Sequence, residues 1–287
     1  MSQHQEAYIC GEDSCQRTTT TSSSTSTTNS VNNESSSVLN VEIISDIACP
    51  FCFLGKLQLE KALEQLNIKP IGSDSSSDLK YTIYWKPFLL NPNVPAGGMS
   101  RDQFFKMKFG MNLSEDMKND PKLLLKSMPM LNHIENSGLE LGIKTMNVAN
   151  MKVPISNTLN GHRLIRYVEQ LYPHQTSDMQ NKVADRVFRA YFEEGRDVSQ
   201  VSVMNDIVKD LKLQDQISET FFLEDVHSVS AYTDEQLKAV KEEAKKTQRV
   251  TSGVPYFTFT HAGKKTSTSG AIGIQSFVKL LKAFISK

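Results

Sequence analysis

The chain has 287 residues, a hydrophobic share of 39% and a formal charge of zero, with 32 basic residues against 32 acidic ones. That length holds one large domain or two small ones with ample core. Without a basic stripe, the charge balance argues against nucleic acid as a partner, and no apolar run reaches membrane-spanning length.

The first segment is a separate regime. Thr18 to Thr28 is made only of Ser and Thr, and Asn29 to Ser37 is scarcely more apolar. Such a stretch buries too little surface to offset its ordering entropy, so residues 1–37 are expected to be a disordered Ser/Thr-rich tail. Met1 to Cys15 has no hydrophobic signal core, and it carries Glu6, Glu12 and Asp13 where a transit peptide would be basic. A cytoplasmic, reducing location is therefore expected. There the four cysteines are read as catalytic, regulatory or metal-binding rather than as structural cross-links.

Leu39 to Ile44 reads as a short strand with Val41 and Ile43 on one face. Cys49-Pro50-Phe51-Cys52 follows, and then a helix from about Phe53 to Leu66. Strand, two cysteines and helix in that order suit thiol–disulfide exchange. The first thiol meets the unpaired N–H groups and positive dipole end of the helix, which favour a thiolate. The second, one turn on, can close the disulfide. Pro50 fits the first helical turn, where its missing N–H costs nothing. Cys49 is thus read as the nucleophile and Cys52 as the resolving thiol. The alternative is an inert, core-filling pair.

Ser73 to Asp78 reads as a polar loop before a strand, Tyr81 to Trp85, and Asn91 to Gly98 is a turn-rich loop. From Ser100 to about Lys246 the periodicity is mainly helical. Met179, Val183, Val187, Phe188, Tyr191 and Phe192 share one face, and helices are predicted over Asn157 to Leu171 and Thr233 to Thr247. Strand character returns at Tyr256 to Thr260, turns at His261 to Lys264 and returns over Lys265 to Ser269. A last helix is expected from Ile272 to Ile285. The fold class is α/β: residues 38–98 and 232–287 supply a thioredoxin-like domain, and 99–231 form a large, all-helical insertion.

Several ordered blocks carry a family likeness. Ser45-Asp46, Cys49-Pro50-Phe51-Cys52 and Gly55-Lys56 resemble the active-site opening of DsbA-like thioredoxin proteins, in particular the FrnE-like branch. Lys86 to Pro92, Asn157 to Ile165, Phe188 to Asp197 and Ser252 to Phe257 are similar to further blocks of that branch, and the resemblance covers about residues 39–285. It implies a thioredoxin fold with an inserted helical domain and thiol–disulfide chemistry. It also implies that Gly253, Val254 and Pro255 form a cis-proline segment facing the dithiol, offering backbone to a bound peptide or to glutathione. Phe51, Asn157 and His162 are expected to border the substrate site.

Other residues carry weaker signals. Asp46 could relay a proton to Cys52, but the residue type at a strand end reads first as a turn acceptor. Lys56 reads as solvated. Gly270-Ala271 could offer N–H groups to a carboxylate or be only a turn. Cys10 and Cys15 are either inconsequential thiols or a second redox pair, because a linker of about 33 residues spans roughly 30 Å. Zinc on the four thiolates is disfavoured by the tail position of one pair and by scattered histidines. No cofactor beyond the dithiol is expected, with glutathione as a possible redox partner. The expected function is a thiol–disulfide oxidoreductase acting on protein or small-molecule disulfides. The alternative is a glutathione-dependent isomerase or transferase of the 2-hydroxychromene-2-carboxylate isomerase or kappa class, whose members usually lack the second cysteine. The periodicity does not specify an oligomeric state.

Overall fold

Alternation sets the central strand. In β3 (Val38–Ser45) the side chains of Leu39, Val41 and Ile43 are buried on one face. β3 pairs in parallel with β5 (Lys80–Pro87) and antiparallel with β6 (Tyr256–His261), so Ile43 sits between Trp85 and Phe257, and Val41 between Ile83 and Phe259. β4 (Lys69–Pro70) and β7 (Lys264–Ser269) complete a five-stranded sheet in the order β4-β5-β3-β6-β7. The structure is a computed structural model that describes residues 37–74, 76–222 and 234–286, together with the backbone of 8–11 and 14–17.

Aromatic rings hold helices to the Ile43 face. Phe53 of α1 (Pro50–Gln65) stacks on Phe188 of α7 (Met179–Phe188) at 5.4 Å. Phe277 of α10 (Ile274–Ile285) meets Phe257 edge to face at 5.1 Å. Each ring buried this way is worth about 1.5–3 kcal/mol. On the opposite face, Lys86 of β5 reaches Glu243 of α9 (Glu235–Val250) at 3.0 Å, and Thr247 donates to the Pro87 carbonyl at 2.7 Å.

Between β5 and β6 the described elements are helical: α2 (Arg101–Phe109), α3 (Glu115–Asn119), α4 (Pro121–Ser127), α5 (Pro129–Glu140), α6 (Leu159–Leu171), α7, α8 (Val201–Asp210) and α9. None of the described helices is long and apolar enough to cross a membrane. Residues Glu34–Lys287 form one compact unit and Met1–Asn33 another. In the latter, β1 (Tyr8–Gly11) and β2 (Ser14–Arg17) pair antiparallel, where the sequence suggested no structure. The rest of the expected disordered tail lies outside the described residues.

Several boundaries differ from the sequence reading for local reasons. α1 starts at Pro50, because proline takes the first helical position and Cys49 caps it. α6 starts at Leu159, because the Asn157 side chain accepts the Leu159 N–H at 3.0 Å and uses those residues as a capped turn. The helical face ending at Phe192 is broken at Arg189–Glu193 by a π-turn. α10 starts at Ile274, because Gly273 takes a φ of 88° and its N–H donates to Gln58 Oε1 at 2.9 Å. Gly270 therefore heads no helix, and its N–H donates to the Pro255 carbonyl at 2.8 Å.

Lys56 corrects a second expectation. It is 1% exposed, and its ammonium pairs with Glu60 at 2.7 Å and with Asp185 of α7 at 2.6 Å. Local spacing offered only Glu60, one turn on; the second counter-charge, Asp185, comes from a helix far along the chain.

Asp178, just before α7, has a buried Oδ1 with no hydrogen-bond partner. Burial, and then the nearby Glu60 carboxylate, push its carboxyl from 3.8 to about 6. The folded chain thus holds this proton more tightly than the unfolded one. The resulting stability is complete below about pH 4 and is lost as the pH rises through about 6. Asp178→Asn should then raise stability by about 1–2 kcal/mol at pH 8, with partial exposure reducing the full effect, and change little at pH 4. Urea melts at the two pH values check this.

Candidate active site

The turn between β3 and α1 is built on Asp46. This buried carboxylate accepts the Ala48 N–H at 3.2 Å and, across the fold, the Leu90 N–H at 2.7 Å. Its carbonyl accepts the Cys49 N–H at 3.1 Å. Asp46 therefore acts as a turn acceptor that also ties down the chain after β5, the structural reading of the two considered.

Cys49 is the N-cap of α1, with φ −91° and ψ 112°, and its carbonyl accepts the Cys52 N–H at 3.0 Å. Both thiols are free, and their residues are 4% and 1% exposed. The Cys49 thiol is held below its ordinary value, chiefly by a hydrogen bond from the Cys52 thiol; burial and the Asp46 charge oppose this. Burial pushes Cys52 well up, and the Cys49 sulfur adds to it. The neighbouring Ser45 hydroxyl and Asp46 N–H offset only part. At neutral pH the pair has one acidified thiol and one that keeps its proton.

The expected proline segment lies against this thiol. The Val254–Pro255 peptide bond is cis, and the Val254 carbonyl lies 3.7 Å from Cys49 Sγ. Gly253 is fixed from behind, its carbonyl accepting from the Thr251 hydroxyl at 2.8 Å. A glycine in α1 permits the approach. A Cβ at Gly55 would stand 3.1 Å from both Pro255 and Phe257, tighter than an ordinary contact.

Asn157 and His162 are both buried on the chain that leads into and forms α6. Asn157 is buried and donates to the Val94 carbonyl at 2.8 Å, which fixes the loop before α2. His162 is buried with Nε2 3.5 Å from Asp46 Oδ1, too far for a hydrogen bond. Neither lines the cavity at Cys49.

That cavity, about 190 Å³, is walled on one side by Cys49 and Phe51 and on the other by α2, α5 and the π-turn. Sequence reasoning missed its far wall, which includes Phe104, Phe105, Phe109 and Met130. The available signal was apolar residues left on exposed faces: Phe109 is 44% and Met130 45% exposed. Cys10 and Cys15 are cross-strand partners in the β1–β2 pair, and their side chains lie outside the described residues. Among the described residues no group of three or more His, Cys, Asp or Glu side chains could hold a metal.

Residues 40–282 match the family model of the DSBA-like thioredoxin domain. The chain belongs to the DSBA-like thioredoxin domain family. Within it, this member is a disulfide oxidoreductase with a thioredoxin-like fold and an inserted helical region. Solved structures agree on the fold. A probable DsbA oxidoreductase from Streptomyces coelicolor is 20% identical over 87% of this chain and 91% of its own, with a TM-score of 0.61. The cytosolic disulfide reductase DsbM from Pseudomonas aeruginosa is 14% identical over 86% of this chain and 98% of its own, with a TM-score of 0.50. No curated protein sequence matches the chain.

Proposed function

We propose that this DSBA-like protein exchanges disulfides of protein or small-molecule substrates through Cys49 and Cys52. The Cys49 thiolate attacks one substrate sulfur, and the other leaves as a thiolate that takes up a proton. Cys52 then gives up its proton and attacks Cys49. The substrate is released with both sulfurs reduced, and a Cys49–Cys52 disulfide remains. A thiol such as glutathione returns the pair to the dithiol, and no cofactor takes part. The cytoplasmic setting expected from the sequence belongs to this reading.

The observation that carries it is the pairing of an acidified, helix-capping Cys49 with a buried, protonated Cys52 beside the Val254 carbonyl. Direction follows from what surrounds the thiolate. The Phe51 side chain offers it no donor beyond the backbone N–H, and burial and the Asp46 charge work against it, so the reduced form gains only modest extra stabilisation. The couple is therefore intermediate or reducing.

The test is a redox titration against glutathione buffers, on full-length chain carrying Cys10→Ser and Cys15→Ser so that only this pair reports. We expect a reversible two-electron couple between about −120 and −270 mV, toward the reducing end. No reversible couple, together with tight glutathione binding, would favour an isomerase or transferase of the same fold instead.

A further inference from the structure

We propose that the Ser45 hydroxyl is a catalytic donor for the second half of the exchange: it stabilises the Cys52 thiolate as that sulfur attacks the mixed disulfide at Cys49. This rests on the exchange reaction proposed above.

Position comes first. Side chains alternate along a strand, so Ser45 continues the row of Leu39, Val41 and Ile43 on the face of β3 that packs on α1. Those residues make the row apolar core, yet its last place, toward the first turn of α1, holds a hydroxyl. The backbone there is fixed. The Ser45 carbonyl accepts the Phe88 N–H at 2.8 Å, and the carbonyl of the next residue, Asp46, accepts the Cys49 N–H at 3.1 Å. The hydroxyl is thereby held beside Cys52, the buried thiol of that turn.

Burial comes next. Ser45 is 3% exposed, and its Oγ has no hydrogen-bond partner among the described residues. A buried hydroxyl left unpaired is costly where an alanine or valine would complete the row. The cost is explained by a partner that forms only during the reaction.

Chemistry supplies that partner. In the resting dithiol the Cys52 S–H is directed at the Cys49 sulfur, and a thiol sulfur is itself only a weak acceptor. Once a substrate sulfur is bonded to Cys49, that thiolate is gone. The Cys52 thiol then releases its proton, its sulfur bonds to Cys49 Sγ, and the Cys49–substrate bond breaks. The electron pair leaves on the substrate sulfur, which takes up a proton in place of the one released. The two cysteines are oxidised to the disulfide, and the substrate sulfur is reduced to a thiol. Burial opposes the charge that Cys52 carries on the way, and two groups beside it favour that charge, the Ser45 hydroxyl and the Asp46 N–H. Of these, the hydroxyl is the one a substitution can remove.

The test uses the reduced full-length chain carrying Cys10→Ser and Cys15→Ser, mixed with excess of a chromogenic nitrobenzoate disulfide. Release of the first aromatic thiolate reports attack by Cys49, and release of the second reports resolution by Cys52. Only the first rate depends on probe concentration. We expect Ser45→Ala to leave the first rate within about twofold and to slow the second about tenfold or more, as loss of one hydrogen bond to a buried charge predicts. Ser45→Thr and Ser45→Val share one shape, so only the hydroxyl separates them, and the threonine chain should resolve about tenfold faster than the valine chain. An unchanged second rate in Ser45→Ala, equal threonine and valine chains, or equal slowing of both steps would overturn the role while the redox titration stays reversible. If the unaltered chain releases no second thiolate and the titration shows no reversible couple, the exchange reading itself fails and the role with it.

Discussion

Replacing Cys49 by serine should stop disulfide exchange down to the buffer rate, whereas replacing Cys52 by serine should stop turnover but not attack. A serine hydroxyl without an adjacent base is a poor nucleophile, and only the thiolate of a thiol attacks. The two positions are unequal in kind: Cys49 is acidified by its neighbour's thiol, and Cys52 is pushed up by burial. The Cys52→Ser chain should therefore accumulate a mixed disulfide at Cys49, seen as a mass gain of one substrate half. Attack should quicken as pH rises through the Cys49 value, with its midpoint below that of an ordinary thiol. A trapped adduct on Cys52 in a Cys49→Ser chain would reverse the roles.

What the sequence showed and what it hid divide along one line. β3, the dithiol and the start of α1 lie within one run of chain, and alternation, proline and helix periodicity are local signals, so they were legible. The β6–β7 hairpin was legible for the same reason. Features that need two distant segments were not. Lys56 looked solvated because Asp185, its counter-charge, sits on α7. The approach of His162 to Asp46, at 3.5 Å, comes only from the packing of α6. Gly161 allows that packing, since a Cβ there would meet Ile47 Cδ1 at 2.5 Å. The cavity was hidden most deeply, because its walls come from α1, α2, α5 and the π-turn. That π-turn falls where the sequence suggested an uninterrupted helical face, and it is the turn that brings Tyr191 and Phe192 to the cavity wall.

Lys56→Met should cost about 3 kcal/mol of stability. Removing one partner of a buried ion pair typically costs about 3–5 kcal/mol, and here the carboxylates keep some contact with water, so the lower end applies. The methionine can fill the space of the stem. What is lost is the charge that holds Glu60 at 2.7 Å and Asp185 at 2.6 Å. Asp185 keeps Arg189 at 2.7 Å, but Glu60 keeps only the Asn181 amide at 2.9 Å. The pH dependence identifies the mechanism. Burial alone would raise the Asp185 carboxyl, yet Lys56 and then Arg189 outweigh it and hold it below its ordinary value. A depressed carboxyl contributes stability above its unfolded value near 3.9 and loses it as pH falls through the folded value. Unaltered chain should weaken on acidification in that range, and the Lys56→Met chain should weaken less, so the two melting curves converge at low pH. Adding Asp185→Asn to Lys56→Met should recover part of the loss at neutral pH, because no unpaired charge then remains at that position. A loss under about 1 kcal/mol, with parallel acid limbs, would mean that the lysine is solvated. Because Lys56 lies one turn beyond Cys52 on the helix that Cys49 caps, the ion pair also fixes the orientation of that helix. The variant's redox titration should therefore shift along with its stability.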